Sequence, residues 1–248
     1  MRTRGWPLPA VVAHRCGGAL APENTLAGLD ASAACGCRGV EFDVMLSADG
    51  TPFLIHDETL ARTTDGHGAV AATVDAVLRR LDAGAWFAPA FAGERLPMLD
   101  EALERCAALG LAVNLELKPA TGHEAATGRT VGQRLRTRWQ DFPCGLVVSS
   151  FSPQALDAFA SAGPAVPRAL LVDAVPADWR ARCAALGAIA LHADTRRIDR
   201  GTVEAVRAAG LQIALYTEDD PARARAWHAF GVASVITDRP DRLLGTAA

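Results

Sequence analysis

The chain predicts an α/β fold, a (β/α)8 TIM barrel with a small hairpin-containing insertion after the second strand. Short aliphatic runs alternate with Ala/Leu/Arg-rich stretches of helical length along the whole sequence, the rhythm of βα units on a parallel sheet. Eight such runs fall within 248 residues, a spacing that suits a closed barrel better than an open sheet. No Gly-x-Gly-x-x-Gly turn follows the first run, which weakens a dinucleotide-binding alternative. Half of the residues are apolar, enough for one large core, and the expectation is a single domain over 1–248 with the insertion at about 45–97.

The first strand is read at 11–14 and is followed by a helix at 25–35 that stops at Gly36. The second strand, 39–44, is followed by no helix. Instead Ser47-Ala48-Asp49-Gly50-Thr51 leads into the apolar 52–56, and Asp-Gly between two apolar runs signals a hairpin. A tight turn there brings His56 opposite Phe42 or Asp43. The stretch 57–97 is rich in Gly, Thr, Ala and Trp and reads as a cover over one end of the barrel. Beyond it the strands are expected at 112–117, 146–150, 169–172, 189–192, 212–216 and 235–237. Helices are expected at 99–109, 128–139, 153–162, 177–186, 200–209 and 221–230, with Gly110, Gly187, Gly210 and Gly231 as further stops.

Composition narrows the function. A net charge of −3 with no cluster of Lys or Arg argues against a nucleic-acid groove or a polybasic membrane patch. The six cysteines show no zinc-type spacing beyond one Cys-x-Cys, and scattered thiols suit a reducing compartment. Residues 1–10 carry Arg2 and Arg4 but no apolar core of a signal peptide, and no run is long enough to span a bilayer. The expectation is a soluble cytoplasmic protein with a small-molecule substrate, no membrane insertion, and barrel helices that can serve as a homodimer face.

Four apolar runs end in ionisable residues: His14-Arg15, Glu41-x-Asp43, His56-Asp57 and Glu116-x-Lys118. Buried charges are costly unless they meet one another, a metal or a substrate. Glu41 and Asp43 are two apart on a strand and point the same way, and Glu116 closes the next parallel strand. Three converging carboxylates repel, with each pKa expected to rise, and a hard cation such as Mg²⁺ or Ca²⁺ removes the conflict. His14 and His56 beside such a centre can divide acid and base roles, whereas His67, His123 and His228 lie in loop or helical contexts. Arg15 and Lys118, the only lysine in the chain, add positive charge suited to phosphate oxygens. A metal, two cations and an acid/base pair describe phosphoryl transfer or phosphodiester cleavage.

As an ordered set these residues resemble the glycerophosphodiester phosphodiesterase family. The match runs through His14-Arg15, Ala21-Pro22-Glu23-Asn24-Thr25, Glu41-Phe42-Asp43-Val44, Ser47-Ala48-Asp49-Gly50 and His56-Asp57. It continues through Leu60-x-Arg62-Thr63-Thr64, Glu116-x-Lys118, Ser149-Ser150-Phe151 and Ile236-Thr237-Asp238. Asp82-Ala83-Gly84-x-Trp86-Phe87 and the sequence after Leu115 look most like the cytoplasmic bacterial branch linked to glycerol-3-phosphate uptake. The resemblance implies hydrolysis of deacylated phospholipids to sn-glycerol 3-phosphate and an alcohol. It implies Glu41, Asp43 and Glu116 as metal ligands, His14 and His56 as the acid/base pair, and Arg15 and Lys118 as phosphate contacts. The alternatives are a lysophospholipid or phosphoinositide phosphodiesterase on the same barrel, and a non-catalytic sensor of glycerophosphodiesters. Cys16 departs from the family's usual Gly. Tyr216-Thr217-Glu218-Asp219 departs from its aromatic-Thr-Val-Asn, and the extra acid at Glu218 suggests a cationic headgroup.

Overall fold

The computed structural model describes residues 5–245. Its nine strands are β1 (Val11–Ala13), β2 (Gly39–Leu46), β3 (Pro52–Leu54), β4 (Ala112–Leu117), β5 (Leu146–Ser150), β6 (Arg168–Val172), β7 (Ala190–Asp194), β8 (Gln212–Tyr216) and β9 (Ser234–Thr237). The sheet order is β1-β9-β8-β7-β6-β5-β4-β2-β3, and an additional β1–β2 pairing closes it. All pairings are parallel except β2 with β3, so eight strands form a (β/α)8 barrel and β3 is its antiparallel attachment.

The helices α1 (Leu26–Ala34), α2 (Asp75–Leu78), α3 (Leu99–Leu109), α4 (Glu124–Arg138), α5 (Pro153–Ser161), α6 (Trp179–Leu186), α7 (Arg200–Ala208), α8 (Pro221–Ala229) and α9 (Pro240–Leu244) follow in chain order. Their starts are chemically marked. The side chains of Thr25, Ser152, Asp199 and Asp220 accept backbone N–H groups at the first turns of α1, α5, α7 and α8. No helix among the described residues is long and apolar enough to cross a membrane.

Alternation along each strand separates two environments. Val40, Phe42 and Val44 of β2, with Leu115 and Leu117 of β4, join the core that also contains Leu103, Val131, Leu135 and Phe159 of the helices. Val12, Ala112, Val147, Ala169, Ala190 and Ile236 form a second cluster, the filling of the barrel itself. Each large apolar side chain withdrawn this way contributes about 1.5–3 kcal/mol, so the register of β2 is strongly specified. A one-residue slip would exchange Phe42 for Glu41 and Asp43 in the helix layer.

The hairpin forms where Asp49-Gly50 places it. Ser47 N donates to Thr51 O at 2.9 Å, and Gly50 takes the left-handed conformation at φ +79° that the turn requires. Residues from the hairpin to Leu96 fold over their own apolar cluster of Met45, Phe53, Ile55, Leu60, Val70 and Leu78. Three helices differ from expectation, the first being α2, a single turn inside the insertion where no helix is expected. Helix α4 begins at Glu124 rather than 128, and α9 after the last strand was not foreseen.

Candidate active site

All seven nominated side chains reach one end of the barrel and line a cavity of about 450 Å³. The register Asp43↔Glu116 puts these carboxylates on adjacent strands at the same level. The β2–β3 register Val44↔Leu54 continues as Ile55 N donating to Asp43 O at 3.1 Å, which delivers His56 to the acidic pair. His14 follows β1. Arg15 should face away from His14 in extended backbone, yet both line the cavity. Its φ of +47° turns the chain, and Cys16 and Asn24 share the left-handed region at +76° and +56°. Side-chain bonds hold this loop in place: Glu41 Oε2 accepts from Arg15 N at 2.8 Å, and Asn24 Nδ2 donates to Asp43 Oδ2 at 2.9 Å.

Glu41, Asp43 and Glu116 each offer an oxygen within 4.8 Å of the others, and all three are buried. Burial and the neighbouring carboxylates push Glu41 well above the usual carboxylate range. Burial, reinforced by Asp43, pushes Glu116 up to about 8. Asp43 departs from the expectation that all three rise. Burial raises it, but His56, Arg15, Lys118 and the Asn24 hydrogen bond outweigh that and hold it below its ordinary value. Glu41 Oε1 is buried without a hydrogen-bond partner among the described residues, and an oxygen-only donor set of this kind fits a hard divalent cation.

Each histidine is oriented by a carboxylate at Nδ1. His14 Nδ1 lies 2.7 Å from Asp238 Oδ1, and His56 Nδ1 lies 2.7 Å from Asp57 Oδ1. With Nδ1–H as the donor, both Nε2 atoms carry lone pairs toward the site. His14 Nε2 is 3.9 Å from Glu41 Oε2, whereas His56 Nε2 accepts from Lys118 Nζ at 2.9 Å. Burial, with the cations Arg15 and Lys118, holds His56 below the usual imidazole range despite Asp43 and Asp57. Lys118 Nζ also lies 3.3 Å from Glu116 Oε1.

The chain that carries this arrangement, two carboxylate-oriented imidazoles and two cations around an acidic triad, is similar to known proteins. The model of the glycerophosphoryl diester phosphodiesterase family matches residues 14–242. The chain belongs to that family. A glycerophosphodiester phosphodiesterase of Caldanaerobacter subterraneus is 31% identical over 234 residues, covering 94% of this chain and 96% of the relative. A phosphodiesterase of Oleispira antarctica, solved in complex with the product sn-glycerol-3-phosphate, superposes with a TM-score of 0.92 at 37% identity and covers 96% of both chains. A glycerophosphodiester phosphodiesterase from Agrobacterium tumefaciens gives a TM-score of 0.81 at 31% identity, covering 96% of this chain and all of that one. The protein is therefore a phosphodiesterase of this family.

Within the family frame, several residues of the motifs acquire contacts that the sequence did not assign. Asp57 and Asp238 are the histidine partners. Asp238 stands 224 residues from His14 and is brought near by the close approach of Gly18, where a Cβ would meet Asp238 O at 2.4 Å. Glu23 accepts from Arg15 at 2.9 Å and from Arg62 at 2.8 Å, and Arg62 in turn reaches Asp57. A charged chain thus runs from His56 through Asp57, Arg62 and Glu23 to Arg15. The expectation for Glu218 is overturned. Its carboxylate is buried, accepts from Asp220 N at 3.1 Å and pairs with Arg223 at 3.1 Å, so it does not line the cavity. Of the other histidines, His228 bonds the backbone at Val232 O and takes no part in the site.

Proposed function

We propose that this phosphodiesterase hydrolyses glycerophosphodiesters to sn-glycerol 3-phosphate and an alcohol. Arg15 and Lys118 contact the phosphate, and His14 and His56 exchange the protons. Glu41, Asp43 and Glu116 hold a divalent cation, Mg²⁺ or Ca²⁺. The observation that carries the reading is the pairing of His14 with Asp238 and of His56 with Asp57 on the two flanks of the acidic triad. The product named for the Oleispira relative supports the same substrate class.

When bound, the cation offsets charge on the phosphoryl oxygens. The chain supplies the rest. Arg15 presents a guanidinium held by Glu23 at 2.9 Å, and Lys118 presents a compact ammonium. An arriving phosphate competes with His56 for Lys118 Nζ. Once the ammonium turns to the phosphate, His56 Nε2 is released and the cationic field that disfavours its protonation is neutralised. His56 then serves as the acid that protonates the departing alcohol. His14, fixed by Asp238 with Nε2 unprotonated, serves as the base toward the attacking hydroxyl. The described cysteines are all free, in keeping with a reducing, cytoplasmic setting.

The test is a coupled assay for glycerol 3-phosphate released from glycerophosphocholine, with EDTA and then Mg²⁺ or Ca²⁺ restored. Metal-restored release is expected. Absence of release across several headgroups would overturn the reading.

A further inference from the structure

We infer that the cavity wall formed by Phe151, Asp173 and Tyr216 selects a substrate whose alcohol carries an ammonium group, primary or quaternary. The inference rests on the phosphodiesterase reading above and specifies its substrate. Away from the acidic triad the cavity extends past the ends of β5, β6 and β8, where these three residues lie. Phe151 is 38% exposed, one of four large apolar side chains so placed among the described residues, and it lines a second adjoining cleft with Asp173. Its ring meets Tyr216 edge to face at 6.0 Å between centroids. The Tyr216 hydroxyl donates to Val172 O at 2.9 Å, which fixes that ring and leaves its aromatic surface as the part offered to the cavity.

The charge balance on this side is specific. Arg196 also lines the cavity, but Asp194 holds its guanidinium in a fork, Nε to Oδ1 at 3.0 Å and Nη2 to Oδ2 at 2.7 Å among its contacts. Among the described residues Asp173 makes no hydrogen bond or ion pair and meets Arg196 only through space, so it is the least compensated carboxylate beside the aromatic pair. Burial and then the negative field of Asp173, Asp194 and Glu116 raise the Tyr216 hydroxyl above its ordinary pKa. Aromatic faces with an unpaired carboxylate attract ammonium groups. The Phe151 ring already accepts one, with Lys118 Nζ 5.5 Å from its centroid. A polyol in the same place would meet ring carbons and the aliphatic floor of Leu171 and Ile236 instead.

The experiment compares kcat/KM on glycerophosphocholine and glycerophosphoethanolamine with kcat/KM on glycerophosphoglycerol and glycerophosphoinositol. It does so in wild type, Asp173→Asn and Phe151→Leu, each supplied with metal. Wild type is expected to favour the ammonium substrates. Asp173→Asn should lower that ratio about tenfold, through KM for the ammonium substrates, and Phe151→Leu should lower it in the same direction. Because both substrates are read on one preparation, partial misfolding leaves the ratio unaffected. A wild-type ratio near one that neither variant moves would overturn the inference and leave the phosphodiesterase reading standing. No turnover on any of the four would overturn both.

Discussion

Lys118 Nζ donates to His56 Nε2 at 2.9 Å, so the only lysine of the chain occupies the nitrogen through which His56 would exchange a proton. The same ammonium stands 3.3 Å from Glu116 Oε1. It therefore links the acidic triad to one histidine and, in the proposed mechanism, meets the phosphate on that flank. Replacing Lys118 by Met removes this charge and should lower kcat/KM about 10²–10³-fold, the scale for deleting one preorganised charge contact. Lys118→Arg should recover little, because a planar guanidinium cannot sit between Nε2 and a carboxylate oxygen as a point charge does. Steady-state rates on one glycerophosphodiester check both; an Arg variant near wild type would contradict the point-charge role.

Removing an acid or base differs in size from removing the group that aims it. His14→Ala and His56→Ala should each cost about 10²–10⁴-fold in kcat. Asp238→Asn and Asp57→Asn keep the imidazoles but loosen their tautomer and orientation, and should cost less, at least about tenfold each. Asp57 also receives Arg62, whose hydrogen bond chiefly holds its carboxyl far below the ordinary range. Its variant should therefore destabilise the insertion as well, visible as a lower Tm that Asp238→Asn does not share. Equal kcat in His56→Ala and wild type would refute the acid/base assignment.

The extent to which the sequence revealed this site depends on how local each contact is. Strand alternation sends Glu41 and Asp43 inward together, and an Asp-Gly turn specifies which residue of the returning strand lies beside them. Both are short-range rules. The partner of His14 is not, since Asp238 is set by barrel closure between β1 and β9. Glu218 looked available because nothing nearby in sequence announces that α8 turns Arg223 back onto it. The start of α4 is hidden in the sequence for a packing reason. Gly128 read as a helix boundary, but it lies inside α4 because a Cβ there would stand 2.1 Å from Ala155 O of α5.

Metal binding should release protons. Without metal, the carboxyl of Glu116 titrates at about 8 and that of Glu41 is held well above its ordinary value by burial and carboxylate repulsion. A cation requires these groups ionised, so its affinity should rise as pH climbs towards about 8. Calorimetric titration of Mg²⁺ or Ca²⁺ at pH 7 in buffers of different ionisation enthalpy should show net proton release. Glu41→Gln should reduce that release and weaken the metal-induced rise in Tm. A pH-independent affinity over this range would contradict the raised values.

His192 of β7 is fully buried and, among the described residues, neither ring nitrogen has a hydrogen-bond partner, with Trp6 packed edge-on at 6.0 Å. Burial lowers its pKa to about 3. The unfolded chain keeps an imidazole near 6.5. Above that pH both states are neutral and His192 adds no pH dependence. As pH falls below it the unfolded chain takes up a proton that the folded barrel refuses. Stability should then drop by up to about 1.4 kcal/mol per pH unit until the folded value is reached. His192→Leu removes the titration together with two unpaired nitrogens, and its stability near pH 7 should match or exceed wild type. Urea melts of both proteins between pH 7 and 4 isolate this contribution, because the shared carboxylates cancel in the difference. The gap should widen in favour of the variant as pH falls; a gap constant across the range would show that His192 is protonated in the folded protein.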